Sequence, residues 1–354
     1  MAKRQPHRFG VEVEAATLPW QDLHMDIRAL PKAELHLHIE GTLEPELVFA
    51  LANRNNISLP WANVEELREL YNFSNLQSFL DLYYQSMTAL RTRDDFFDLG
   101  LAYLARAHAD GVRHAEIFFD PQAHLENGLE FEDVLGGLSD ALGQAQGQYG
   151  ISGGLIMCFL RDKGPQAALQ MLEIAEPYVG HLLGVGLDST EIGYPSELYS
   201  QAFDRAGELG LHRVAHAGEE GPPEYVWGAL RALGAERIDH GLRSLEDEEL
   251  VAHLIAQRIP LTCCPFSNVR LKAIADLAKH PLQVMLERGM LATLNSDDPA
   301  YFGGYLGDNF THTIAALGLN DAQVVQLCHN SIAASFASPE RKAELFALLA
   351  AAVE

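Results

Sequence analysis

Ala33-Glu34-Leu35-His36-Leu37-His38 is the stretch on which the fold turns. It is a short, mostly apolar run that ends in polar residues, with Glu40-Gly41 just beyond. The same grammar returns along the chain: an apolar, β-branched run, a polar end, then a helical stretch. Read this way, the candidate strands are Ala33–His38, Val112–Phe119, Gly154–Leu160, Leu183–Leu187, Arg213–His216, Arg237–His240, Pro260–Cys263 and Leu291–Leu294. Helical patterns such as Phe131–Gln148 and Pro165–Ile174 lie between most of them. Eight strand–helix units predict an α/β fold, a (β/α)8 TIM barrel. A chain of 354 residues suits one such barrel with insertions.

The first connection, from Thr42 to Asp110, is far longer than a crossover needs. It carries helical patterns at Asn63–Leu70 and Leu76–Leu90, so a helical cap over the barrel mouth is expected at about residues 42–110. Residues 1–28 are loosely patterned and read as an N-terminal extension to a single unit spanning 29–354.

The formal charge is −24, which repels phosphate backbones and argues against a nucleic-acid partner. A neutral or cationic small molecule fits better. No uninterrupted apolar stretch is long enough for a membrane span, and Met1–Asp26 lacks the apolar core of a signal peptide. Cys158, Cys263, Cys264 and Cys328 form no C-x-x-C pair and read as buried thiols in a reducing cytoplasm. No pattern sets an oligomeric state.

Nearly every polar cluster falls at the C-terminal end of a predicted strand, the face on which barrels of this kind build active sites. His36 and His38, two apart on a strand, point to the same side and can both face the axis. An H-x-H pair can equally be a hydrogen-bonded pair. After the fifth strand, His216-Ala217-Gly218-Glu219 offers a third imidazole, a tight turn and a carboxyl that can point back into the mouth. A surface loop with a solvated Glu219 is the plainer alternative. Asp239-His240-Gly241 ends the sixth strand, where His240 reads either as an acid–base group or as a core histidine. Asp297 and Asp298, adjacent at the end of the eighth, repel each other unless a cation or hydrogen bonds compensate. An aspartate-rich helix cap before Pro299 is the other reading. Taken together, three histidines and one aspartate make a ligand set for a catalytic metal with a position left for water. Nitrogen and carboxylate donors without thiolate suit Zn2+, and Fe2+, cobalt or manganese also fit. Bound zinc brings the pKa of its water to about 7, which is a toolkit for hydrolytic attack on an sp² carbon.

These residues resemble the adenosine/adenine deaminase family of metal-dependent amidohydrolases. The resemblance runs from about Leu30 to the C-terminal helices. It rests on Leu35-His36-Leu37-His38-Ile39-Glu40-Gly41, His216-Ala217-Gly218-Glu219, Asp239-His240-Gly241, Cys264-Pro265-Phe266-Ser267-Asn268 and Ser296-Asp297-Asp298-Pro299. It implies that His36, His38, His216 and Asp297 hold one zinc ion, and that His240 orients the attacking water. It implies that Glu219 protonates purine N1, with a raised pKa, and that Asp298 hydrogen-bonds N7. A purine base would be deaminated at C6, as in purine salvage.

Two departures set this chain apart from the nucleoside-specific branch. Glu40 stands where adenosine deaminases carry an Asp that reaches the ribose, and Glu191 follows the fourth strand where they have a small segment. Both imply less room for a sugar. The runs Arg237–Gly241 and Asp298–Gly304 look like the adenine deaminase branch, so adenine is the expected substrate. Adenosine or an N6-substituted adenine is the alternative, and a non-catalytic purine-binding barrel a remote one. Amidohydrolases that hold two metals with a carboxylated lysine are disfavoured, because no Lys ends the fourth strand. The group that meets purine N3 is not assigned.

Overall fold

The computed structural model describes residues 26–354. The expected extension at 1–28 lies almost wholly outside the described residues.

Eight parallel strands follow one another in sheet order: β1 (Lys32–Glu34), β2 (Val112–Phe119), β3 (Ser152–Leu160), β4 (Gly184–Asp188), β5 (His212–Ala217), β6 (Arg237–His240), β7 (Leu261–Cys263) and β8 (Ala292–Leu294). Each pairs in parallel with the next. The barrel closes through the segments beyond β8 and β1. His38 N donates to Asp297 O at 3.0 Å, and Asp297 N donates to His36 O at 3.1 Å. Parallel strands flanked by helices are buried on both faces, which is why they read as near-continuous apolar runs rather than alternations. Strands β2 and β6 coincide with their sequence-based expectations, and most of the others shift by a residue or two at an end. The first strand differs more. Its regular ladder stops at Glu34, and the histidine-bearing end is tied by single bridges, Leu37 to Asp297 and His38 to Phe118. The chain there leaves the ladder to bring His36 and His38 inward.

Four helices fill the first connection: Pro45–Arg54, Val64–Glu69, Leu76–Met87 and Arg93–Ala109. The third carries a capping box, in which Asn75 accepts from Ser78 N and Ser78 Oγ accepts from Asn75 N. This fixes where that helix starts, and Leu76, Phe79, Leu80, Tyr83 and Tyr84 on it roof the cavity at the barrel mouth. All four cysteines are buried free thiols. Among the described residues no helix is long and apolar enough to cross a membrane.

Buried charge sits below the mouth. Arg237 on β6 donates to Glu116 on β2 at 2.5 Å and to Leu35 O at 3.1 Å, and both side chains are fully buried. Burial alone would raise the Glu116 carboxyl, but Arg237 and His114 outweigh it and hold it at about 2. The pair ties β2 and β6 to the segment just past β1 through the barrel interior. Removing one member leaves a charge without its partner, which costs about 3–5 kcal/mol. Arg237→Leu is expected to lose that much in urea denaturation; a loss below about 1 kcal/mol would show that the pair is dispensable.

Candidate active site

The eight strands aim their C-terminal ends at one face, and the residues expected there converge on one cavity. It is lined by His38, His216, Glu219, His240, Asp297 and Asp298, together with Asp120, Asp188, Ser189 and the helical roof. Three strand-end residues, Ser189, His240 and Asp297, adopt left-handed backbone angles of 69°, 63° and 64° in φ. A side chain with a Cβ in that region costs on the order of 1–3 kcal/mol, and such strain gathers where geometry matters for function.

His36, His38, His216 and Asp297 each offer a ligand atom, all within 4.8 Å of one another. Hydrogen bonding fixes which nitrogen His36 presents. Thr262 Oγ1 donates its proton to Asp239 Oδ1 at 2.8 Å, so its oxygen accepts from His36 Nδ1 at 2.9 Å. The bare nitrogen is then Nε2, which is buried without a hydrogen-bond partner and lies 3.3 Å from Asp297 Oδ1. The other two histidines also have a carboxylate behind them: His216 Nδ1 is 3.7 Å from Asp239 Oδ2, and His38 Nδ1 is 3.5 Å from Asp188 Oδ2. Carboxylates behind the imidazoles orient metal-binding histidines and strengthen them as ligands. Three imidazoles with their lone pairs converging on one carboxylate fit a divalent metal ion.

Glu219 reaches this cluster because the chain turns sharply at Gly218, with φ at 71°. Burial, reinforced by the charges of Asp297 and Glu191, pushes its carboxyl well above the usual range, as expected. His240 Nε2 lies 3.6 Å from Glu219 Oε2 and 3.8 Å from Asp297 Oδ2. Asp298 is buried with Oδ1 unpartnered, and burial beside Asp297 raises its carboxyl as well. It packs so tightly over Gly41 that a Cβ at residue 41 would overlap its carboxylate, which explains the glycine after Glu40.

Two sequence readings are corrected. Glu40 does not project into the cavity. It is fully buried, with Oε1 accepting from Asp120 N at 3.0 Å and hydrogen-bonded to His124 Nε2 at 2.8 Å. Glu191 does not line the cavity either. Its carboxylate accepts from four backbone amides, those of Gly218, Glu219, Glu220 and Gly221, at 2.7–3.2 Å. It ties down the turn that carries Glu219. The acidic wall beside His38 is instead made by Asp120 and Asp188, both buried. Asp120 follows β2 just as the chosen residues follow their strands, so the strand-end rule could have found it. Tyr83 and Tyr84 carried no such signal, because only the packing of the helix Leu76–Met87, remote in sequence from β1, places them there.

Glu191→Ala leaves four amides without their acceptor, and a lost set of buried, charge-assisted bonds costs about 2–4 kcal/mol. Denaturation should report that loss, and amide exchange at residues 218–221 should quicken about tenfold or more. Unchanged exchange there would remove the clamp from the account.

Comparison with known proteins agrees with this geometry. The family model for adenosine deaminase matches residues 31–352. An adenine deaminase of Streptomyces coelicolor is 59% identical over 307 residues, covering 87% of this chain and 90% of that protein. An adenine deaminase of Cupriavidus pinatubonensis is 54% identical over 321 residues, covering 91% and 92% respectively. The crystal structure of an adenine deaminase from Arthrobacter aurescens superposes with a TM-score of 0.90 at 51% identity, covering 92% of this chain and 99% of that one. An amidohydrolase from Burkholderia ambifaria, crystallised with bound Zn, gives 0.82 at 25% identity, covering 92% and 93%. With its strand-end motifs gathered in one cavity and a family match spanning nearly its whole length, this chain belongs to the adenosine deaminase family.

Proposed function

We propose that this protein hydrolyses adenine to hypoxanthine and ammonia. The observation that carries the reading is the meeting, in one cavity, of the His36–His38–His216–Asp297 cluster with the buried carboxyl of Glu219, whose surroundings favour its protonated form. The names of relatives more than half identical to it support adenine as the substrate.

His36, His38, His216 and Asp297 would hold one divalent ion. Zinc is the first choice for three imidazoles and a carboxylate without thiolate, and Fe2+ suits the same donors. Such an ion supplies the Lewis acidity that makes water a nucleophile near neutral pH. The chain's own groups do the rest. Glu219 donates its proton to ring N1, which draws electron density from C6 and makes that carbon open to attack. Asp298, also favoured in its protonated form, donates to N7. His240 orients the attacking water. One proton of the attacking water passes to the exocyclic nitrogen, which leaves C6 as ammonia, the other returns to Glu219, and the oxygen stays as the hypoxanthine carbonyl.

The acidic wall fits a free base. On the edge away from C6 and N7, adenine presents an acceptor at N3 beside a donor at N9–H. Buried carboxyls at Asp120 and Asp188 can complement that pair. A nucleoside has no proton at N9, so it would leave buried polar groups unpaired, and sites built to hydrogen-bond a group strongly reject an analogue lacking it. We further assign residues 29–354 to a single unit, with 42–110 as its cap. The four buried free thiols support a reducing, cytoplasmic setting.

Ultraviolet-monitored deamination of adenine, adenosine and N6-methyladenine tests the reading. Adenine should lead in kcat/KM by about a hundredfold or more, in keeping with rejection of an analogue that lacks a read group. A lead for adenosine or the N6-alkyl base would overturn the substrate while leaving the fold intact. Glu219→Gln should retain its metal by elemental analysis yet lose about 10²–10⁴ in kcat, the usual contribution of a positioned acid. Turnover near that of the unmodified protein would remove Glu219 from the mechanism.

A further inference from the structure

Behind His240, on the side away from the cavity, runs a chain of hydrogen bonds that ends on a backbone amide. Leu282 N donates to His280 Nδ1 at 3.1 Å. His280 Nε2 lies 3.1 Å from Asn268 Oδ1, and Asn268 Nδ2 lies 3.3 Å from His240 Nδ1. His280, Asn268 and His240 are all buried, so water does not compete for these groups.

A backbone N–H can only donate. His280 Nδ1 must therefore accept, which places that ring's proton on Nε2. This N–H meets Asn268, so the atom facing it is the amide oxygen, and the amide NH2 group faces His240. His240 Nδ1 then accepts, and the proton of its neutral ring resides on Nε2. An accepting Nδ1 requires a neutral ring at both positions, and both side chains are buried. Nε2 is the nitrogen that faces Glu219 and Asp297.

We infer that Asn268 and His280 are positioning residues which lock His240 in its Nε2–H tautomer, so that His240 meets the attacking water as a hydrogen-bond donor. The role at the water rests on the function proposed above; the tautomer does not. A fixed donor aimed at the oxygen that gathers charge stabilises the transition state without reorganising. Asn268 lies in the Cys264–Asn268 motif singled out in the sequence, and His280 belongs to no motif there. The two meet because the helix Pro265–Arg270 follows β7 and the chain returns past it at His280 before the helix Leu282–Glu287.

The test begins with the unmodified, zinc-loaded protein labelled with 15N-histidine. Two-bond proton–nitrogen correlations should show His240 and His280 each with a bare Nδ1 and a protonated Nε2; a proton on Nδ1 of His240 overturns the inference. Asn268→Leu and His280→Phe should each lower kcat for adenine about 10- to 100-fold with KM within about threefold, and His240 should become a mixture of tautomers. The double variant should be no worse than either single one, because both break the same chain. His280→Gln, which can accept with its amide oxygen and donate with its nitrogen, should keep kcat within about threefold. Loss of kcat with the tautomer unmoved would make these residues merely structural and overturn the proposal. If the unmodified protein does not turn over adenine, the proposed function fails, and the spectrum still decides the tautomer.

Discussion

Asp239 is the group on which the site depends. Its buried carboxylate accepts from Thr262 at 2.8 Å and lies within 3.7–3.9 Å of His36, His216 and Arg237. Through Thr262 it sets which nitrogen of His36 points at the cluster, and directly it backs His216. A carboxylate at that depth needs compensation, and Arg237 provides it while also pairing with Glu116 across the barrel. The same short strand, β6, thus joins the stabilising ion pair in the interior to the ligand-orienting groups above it and to His240 at its end.

The site divides its ionisable groups by environment. Asp297 is flanked by imidazoles: burial alone would raise its carboxyl, but the neighbouring histidines outweigh it and hold it well below the usual range. Asp298 and Glu219 have carboxylates for neighbours, so burial and like charge push both up. Titratable groups driven apart in this way are what the proposed division between anionic ligand and acid requires. Left-handed backbone at His240 and Asp297 is part of the same arrangement, since it turns these side chains back over the mouth instead of along their strands.

Much of this was legible in residue order. Polar residues at the ends of apolar runs located His36, His38, His216, Glu219, His240, Asp297 and Asp298, because a parallel barrel brings all its strand ends to one face. Glu40 and Glu191 show where that reading stops. Both occupy positions where a longer acidic side chain suggests a crowded pocket, yet Glu40 turns to Asp120 and His124, and Glu191 to the amides of the Glu219 turn. Sequence reports that a carboxylate is near a site. Whether it faces the ligand or the backbone depends on which donors the neighbouring loops leave unpaired, and those donors come from other strands.

By itself, then, the sequence determined the strand–helix alternation, the set of candidate site residues and the family, since these rest on local periodicity and on residue type at strand ends. Tertiary structure alone decided the orientation of the histidine rings, the Asp120–Asp188 wall, the tyrosine-bearing roof and the Leu282–His280–Asn268–His240 chain. Each of these depends on hydrogen bonds or packing between segments remote in sequence, and no local pattern encodes which remote partner a buried polar atom will find.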